Sequence, residues 1–262
     1  MTRIAGVAGQ PIGHSLSPLI HGAWIAAAGL DARYEAFEPA DEDAFEALAD
    51  RVRSGELTGL NVTAPFKEVA LTLADVVFDT AFRCGSANLL FRHEGGLWAD
   101  STDGLGLLAA LAEQAPGLNL AEAPVVVLGA GGAARAAVAA LIEAGARVTV
   151  VNRTLDRAEA LAADLGAAVG DSDSARRAGL IVNALSAPPT LDMTALRPDA
   201  ILMDMSYRPV MTPFLAAGRA RGLTTVDGLA MLIGQARPSF EAFFGVAPPA
   251  IDVRTLALEA AS

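Results

Sequence analysis

Cysteine is almost absent from this chain of 262 residues: Cys84 stands alone, so neither an internal disulfide nor a cysteine-rich zinc site is available. Histidine is scarce as well. His14, His21 and His93 are not spaced as metal ligands and read as structural or surface residues, so no metal site is expected. Positive charge is in deficit, 19 Lys+Arg against 30 Asp+Glu leaving −11, which argues against a nucleic-acid partner needing a basic face. Long apolar runs are missing too, despite 53% hydrophobic residues. Residues 4–30 contain no charged side chain, but Gln10, Pro11, His14, Ser15, Ser17, Pro18 and His21 interrupt them. The uninterrupted piece at 4–9 is far shorter than a signal-peptide core or the about 20 residues of a spanning helix. These features predict a soluble, cytoplasmic protein with no membrane partner.

What is present is enough chain for one large domain or two small ones, burying about 70% or more of the unfolded surface. A strand is expected over 3–9, a polar loop over 10–17, and a helix to Gly29 with Ser17 as N-cap and Pro18 first inside it. Further expectations are a strand at 34–38, an acidic helix at 41–53, a strand at 59–63 and a helix at 69–75. A hairpin at 89–99 turns around Glu94, Gly95 and Gly96. After a helix over 103–114, strand and helix alternate strictly: strands at 124–128, 147–151, 180–183 and 201–204, helices at 132–144 and 157–165. Such alternation predicts parallel α/β structure. The junction near Asp103 is the expected domain boundary.

The strand at 124–128 runs into Gly129, Ala130, Gly131, Gly132, Ala133 and Ala134, a G-x-G-x-x-A turn opening a helix. Gly129 permits the tight turn, Gly131 lets backbone approach a pyrophosphate, and Ala134 lets the helix pack close to the strand. The first amide groups of the helix then receive phosphate. The next strand ends in Asn152, Arg153 and Thr154, with Arg157 one turn on. An NAD site commonly has an acid there for the ribose 2′-hydroxyl, whereas arginine accommodates a 2′-phosphate. Two guanidiniums and no acid predict NADP.

The first half holds four polar clusters, at residues 14–17, at 61–67, at Asn88 and at 101–104. Asn61 and Thr63 share one face of a strand, and Ser15 and Ser17 would do likewise in an extended loop. Such neutral donors and acceptors suit a polyhydroxylated small molecule. Lys67 offers a cation for a carboxylate or a reacting carbonyl, and Asp103 a partner for it. Each has a plainer reading: Ser17 and Asp103 as helix caps, Asn88 as a turn residue, Lys67 as a solvated helix start.

Six motifs, G-Q-P-I-G-H-S-L-S-P-L-I-H (9–21), N-V-T-A-P-F-K (61–67), S-T-D-G (101–104), G-A-G-G-A (129–133), N-R-T (152–154) and D-G-L-A-M-L-I-G-Q (227–235), stand in the order expected for shikimate dehydrogenases. The chain resembles that family over essentially its whole length. The resemblance implies an N-terminal α/β substrate domain with a mostly parallel sheet, residues 1–102 with 235–262. It also implies a Rossmann-type NADP-binding domain, 103–234, with a cleft between them. The implied activity is reversible NADPH-dependent reduction of 3-dehydroshikimate to shikimate by a monomer or homodimer. By resemblance Lys67 and Asp103 are the catalytic pair, Ser15 and Ser17 hold the substrate carboxylate, and Asn61, Thr63 and Asn88 hold ring hydroxyls. Tyr207 and Gln235 match further substrate contacts, and Met205, Gly228 and Met231 match positions lining the nicotinamide. Leu89, Ser101 and Leu185 depart from the family pattern, and the stiff apolar loop 183–189 is given no cofactor role. A quinate or quinate/shikimate dehydrogenase using NAD, or a non-catalytic dinucleotide-binding regulator of the same fold, are the alternatives.

Overall fold

The computed structural model describes residues 2–261. The chain divides into two compact units: residues up to Thr102 together with Gln235–Ala260, and Asp103–Gly234. The first contains β1 (Arg3–Ala8), α1 (Ser17–Ala27), β2 (Ala32–Phe37), α2 (Glu42–Ser54), β3 (Gly59–Val62), α3 (Lys67–Leu73), β4 (Val76–Val77), α4 (Asp79–Cys84), β5 (Leu89–His93) and β6 (Gly96–Asp100). The second contains α5 (Asp103–Gln114), β7 (Pro124–Leu128), α6 (Gly132–Glu143), β8 (Arg147–Val151), α7 (Leu155–Leu165), β9 (Ala168–Val169), β10 (Leu180–Asn183), β11 (Ile201–Asp204), α8 (Pro213–Ala220) and β12 (Thr224–Val226). The chain then continues through α9 (Gly228–Phe244) into α10 (Val253–Ala261).

In the first unit six strands lie in the order β2-β1-β3-β5-β6-β4. β1 pairs in parallel with β2 and β3, and β4 with β6, while β5 runs antiparallel to both β3 and β6. Local chemistry explains the elements. Asp41 caps α2, its carboxylate accepting from Ala44 N at 2.9 Å, and Gly55 ends it in the left-handed conformation at φ +85°. Phe45, Leu48, Ala49 and Val52 recur at helical spacing and are buried with Leu57, Leu60, Val62, Phe66, Leu90 and Leu97.

An aromatic cluster of α1, β2 and α9 fills another part of this unit. His21 is fully buried, lies nearly parallel to Tyr34 with ring centroids 4.1 Å apart, and meets Trp24 edge-on at 5.6 Å. Burial holds its imidazole down to a pKa of about 3. The unfolded chain therefore binds a proton that the fold refuses. Stability from this residue is complete above about pH 6.5 and falls progressively as the pH drops toward 3. Roughly 2 kcal/mol should be lost from this residue between pH 6.5 and 5, at 1.36 kcal/mol per pH unit. His21→Phe is expected to flatten that part of the slope in urea unfolding at pH 7.5 and 5; an unchanged slope would show that His21 does not set it.

The second sheet is wholly parallel, in the order β12-β11-β10-β7-β8-β9. Counted within the unit this is 3-2-1-4-5-6, the doubly wound dinucleotide-binding order whose switch point lies between β7 and β10. α6 buries Ala134, Ala136, Ala137, Ala139 and Ala140, small side chains that let a helix lie close to its sheet. No helix among the described residues is long and apolar enough to cross a membrane.

Several elements differ from expectation. The helix after β3 is shifted to begin at Lys67, and the structure adds α4, β4, β9 and all of α8, β12, α9 and α10. Ser17 is not the cap of α1. It is the helix's first residue after the N-cap Leu16, which has no capping side chain, and its own backbone N–H donates to Ser15 Oγ at 3.2 Å. The segment is thus not extended, because Leu16 is already in the right-handed helical region.

Candidate active site

Strand direction places the polar clusters of the first unit. β1 and β3 end at one edge of the sheet, where Gln10 N donates to Ala64 O at 3.0 Å. Ser15 and Ser17 follow β1; Thr63 and Lys67 follow β3. Because β5 is antiparallel to β3, its start lies at that same edge: Val62 N donates to Asn88 O at 2.8 Å. β6 returns to it, and Asn88 N donates to Asp100 O at 3.1 Å. Reversing one strand therefore brings Asn88, Ser101 and Thr102 to the edge that carries Asn61, Thr63 and Lys67.

Asn88 is no turn residue. It is 4% exposed, its Oδ1 accepting from Thr102 N at 2.8 Å and its Nδ2 donating to Thr102 Oγ1 at 3.0 Å, which ties the start of β5 to the segment after β6. Tyr34, Thr102 and Ser239 belong to the same hydrogen-bonded set and were not singled out from sequence. Tyr34 Oη donates to Asn61 Oδ1 at 2.8 Å, and Asn61 Nδ2 to Ser239 Oγ at 2.8 Å. Burial holds the Tyr34 phenol well above its ordinary range, opposed in part by the hydrogen bond from Ser17. A polar residue in a strand or amid an apolar helix was the available signal. Two buried oxygens, Ser101 Oγ and Gln235 Oε1, have no hydrogen-bond partner among the described residues. Orphans of this kind cost about 1–3 kcal/mol each unless a ligand or water meets them, so both suit a polar ligand. Lys67 is half-buried at the first position of α3, and its carbonyl accepts from Ala87 N at 2.9 Å. Asp103 is 5% exposed and opens α5 as its first residue.

In the second unit the predicted cofactor residues gather at the carboxyl ends of the strands. Gly129–Ala133 follow β7; Asn152, Arg153, Thr154 and Arg157 follow β8; Met205 follows β11; Gly228 and Met231 follow β12. Gly129 has φ +118°, and a Cβ there would lie 3.2 Å from Ala184 O and 3.3 Å from Leu185 Cδ2. The loop after β10 thus packs against the first glycine. At Gly131 a Cβ would meet nothing and the backbone is extended, so neither strain nor a protein neighbour requires glycine there. The exposed start of α6 carries no side-chain cap, which leaves its amides for an anion. Gly228 packs on the end of β11, where a Cβ would come within 2.6 Å of Met205 O. Met205 and Tyr207 are half-buried, and Met231 is 6% exposed. Arg153 and Arg157 are exposed, while Asn152 Nδ2 donates to Thr154 O at 2.9 Å. This donor set fits a dinucleotide bearing a 2′-phosphate. No group of three or more His, Cys, Asp or Glu among the described residues is placed to hold a metal ion.

Residues 7–90 match the shikimate dehydrogenase substrate binding domain, and residues 110–183 match the shikimate / quinate 5-dehydrogenase family. The chain is 54% identical to the NADP(+) shikimate dehydrogenase of Caulobacter vibrioides, covering 98% of this chain and 95% of that one. The chain belongs to the shikimate dehydrogenase family. The corresponding enzyme of Rhodospirillum rubrum is 45% identical, over 95% of this chain and 94% of that one. A crystal structure of shikimate 5-dehydrogenase from Thermus thermophilus in complex with NADP(H) and shikimate superposes with a TM-score of 0.89 at 37% identity, covering 99% of this chain and 98% of that one. The shikimate dehydrogenase architecture therefore extends over both units.

Proposed function

We infer that this chain is an NADP-dependent oxidoreductase that reversibly reduces the C3 ketone of 3-dehydroshikimate to the alcohol of shikimate. Residues 1–102 with 235–262 serve as the substrate-binding and catalytic domain, and 103–234 as the dinucleotide-binding domain. One juxtaposition supports the substrate half of this reading: a lysine and a set of neutral hydroxyls and amides at a single sheet edge. Ser15 and Ser17 hold the carboxylate; Asn61, Thr63 and Asn88 hold ring hydroxyls; Tyr207 and Gln235 add contacts. Gly129, Ala130, Gly131, Gly132 and Ala133 receive the pyrophosphate, and Asn152, Arg153, Thr154 and Arg157 the adenosine 2′-phosphate end. Met205, Gly228 and Met231 line the nicotinamide.

When bound, NADPH supplies a hydride. Lys67 stabilises the negative charge that develops on the substrate oxygen and gives it a proton from Nζ; in the reverse direction the uncharged amine takes that proton back. Asp103, the other member of the catalytic pair, accepts from a neighbouring substrate hydroxyl. The same reading places the enzyme in the cytoplasm, as a monomer or homodimer, where a reducing milieu suits the buried Cys84, which forms no disulfide.

Steady-state rates with shikimate and quinate, each with NADP⁺ and NAD⁺, test the assignment. Shikimate with NADP⁺ is expected to give the highest kcat/KM of the four pairs. Equal or better turnover of quinate with NAD⁺ would replace it with a quinate dehydrogenase, and no turnover of any pair with a non-catalytic binder.

A further inference from the structure

The side chain of Asn61 is held on three sides. Its Oδ1 accepts from Tyr34 Oη at 2.8 Å, and its Nδ2 donates both to Ser239 Oγ at 2.8 Å and to the Asn88 carbonyl at 3.2 Å. A primary amide has two N–H donors and two acceptor lone pairs. Both donors are used within the protein, and one lone pair is used, so a single acceptor site remains. The Asn88 carbonyl can only accept, which identifies the atom facing it as the nitrogen and fixes the orientation of the amide.

The residues holding Asn61 are themselves fixed. Ser239 is 0% exposed, and its own hydroxyl donates to Gln235 O at 3.1 Å. Tyr34 is 8% exposed with its ring against His21, and its phenol also meets the Ser17 hydroxyl. Neither Tyr34 nor Ser239 stands in the motifs that identify the family; they are brought to Asn61 from β2 and α9.

We propose that Tyr34 and Ser239 are positioning residues that lock Asn61 as an acceptor-only contact, so that it accepts a hydrogen bond from a substrate hydroxyl and offers none. The proposal rests on Asn61 being a substrate contact. A substrate carbonyl at that place would set two acceptors face to face. Asn61 therefore meets a hydroxyl that persists through the reaction, and not the oxygen that alternates between alcohol and ketone.

Tyr34→Phe, Ser239→Ala, Asn61→Ala and the two double variants with Asn61→Ala test this by steady-state kinetics with shikimate and NADP⁺, each substrate varied. Each positioning variant is expected to raise the shikimate KM about tenfold, the scale of one lost hydrogen bond, with a far smaller change in kcat. The NADP⁺ KM should not move, and each double variant should be no worse than Asn61→Ala alone. An unchanged shikimate KM accompanied only by a lower melting temperature would overturn the proposal, as would effects that add in full to those of Asn61→Ala. Should Asn61→Ala keep the wild-type KM, the substrate role of Asn61 fails and the proposal with it. A raised KM for Asn61→Ala with Tyr34→Phe silent removes the positioning role alone. Tyr34→Phe keeps the ring on His21, so it decides the matter if Ser239→Ala does not fold.

Discussion

Lys67→Ala is expected to lose about 10²- to 10⁴-fold in kcat while binding NADPH with unchanged affinity. The loss follows from removing the one cationic proton donor in the 61–67 motif, and the retained binding from its place at the start of α3, outside the glycine-rich turn after β7 and the loop after β8 proposed to hold the nucleotide. Local structure favours a clean result. Phe66, immediately before it, is 2% exposed and stacks on Phe45 with centroids 4.9 Å apart, and the Lys67 backbone carbonyl is held by Ala87. Removing a half-buried side chain from this anchored backbone leaves the first turn of α3 in place. A lysine at a helix N-terminus gains nothing from the helix dipole, which favours anions there. Lys67→Arg should lose activity nearly as far, because a guanidinium keeps the charge but does not release its proton. Stopped-flow or steady-state kcat with fluorescence titration of NADPH checks both variants. Turnover near wild type in Lys67→Ala would end the assignment of the proton to this residue.

Arg153→Ala should weaken NADPH binding about 10- to 100-fold and leave NADH nearly unaffected, the scale of a charge-assisted hydrogen bond or two. Arg153 follows the carboxyl end of β8, the second strand of a 3-2-1-4-5-6 sheet, where the adenosine ribose is met in this fold. The turn is braced by Asn152 on Thr154, and Arg157 stands on the exposed first turn of α7. Among the described residues neither guanidinium is used in an ion pair with a carboxylate. In a chain of net charge −11, two exposed arginines, one after β8 and one on the first turn of α7, are what the proposed 2′-phosphate contact requires. Calorimetric titration with both nucleotides separates the outcomes; equal losses for NADPH and NADH would mean that Arg153 supports the loop and does not read the phosphate.

Much of this was legible in the sequence, and the exceptions have identifiable causes. The strands of the second unit are uninterrupted Val, Leu and Ile runs between turn residues, so their parallel order could be anticipated. After Asp204 the alternation of strand and helix carries a weaker signal. α8 nevertheless announces itself with Thr212, whose hydroxyl accepts from Leu215 N at 3.3 Å, followed by Pro213. α9 was obscured by Pro238 inside the helix, although Asp227 caps it by accepting from Ala230 N at 3.0 Å. At 14–17 the cap expected of Ser17 falls one residue earlier, on Leu16: Ser15 accepts from the Ser17 backbone N–H, and Ser17 lies inside the helix beside Tyr34.

Residue type and order by themselves determined the fold class, through the alternation of apolar runs and helices over 124–204, and the glycine-rich turn with the arginines that favour NADP; the candidate catalytic lysine came with the family resemblance. The turn and the arginines depend on chemistry contained within a few consecutive residues. Tertiary structure alone decided how the polar set is assembled. A single reversed strand carries Asn88 to the edge bearing Asn61, and a helix from the far end of the chain brings Ser239 within 2.8 Å of it. A hydrogen bond depends on separation in space, and two residues 178 positions apart carry no trace of that separation in the sequence.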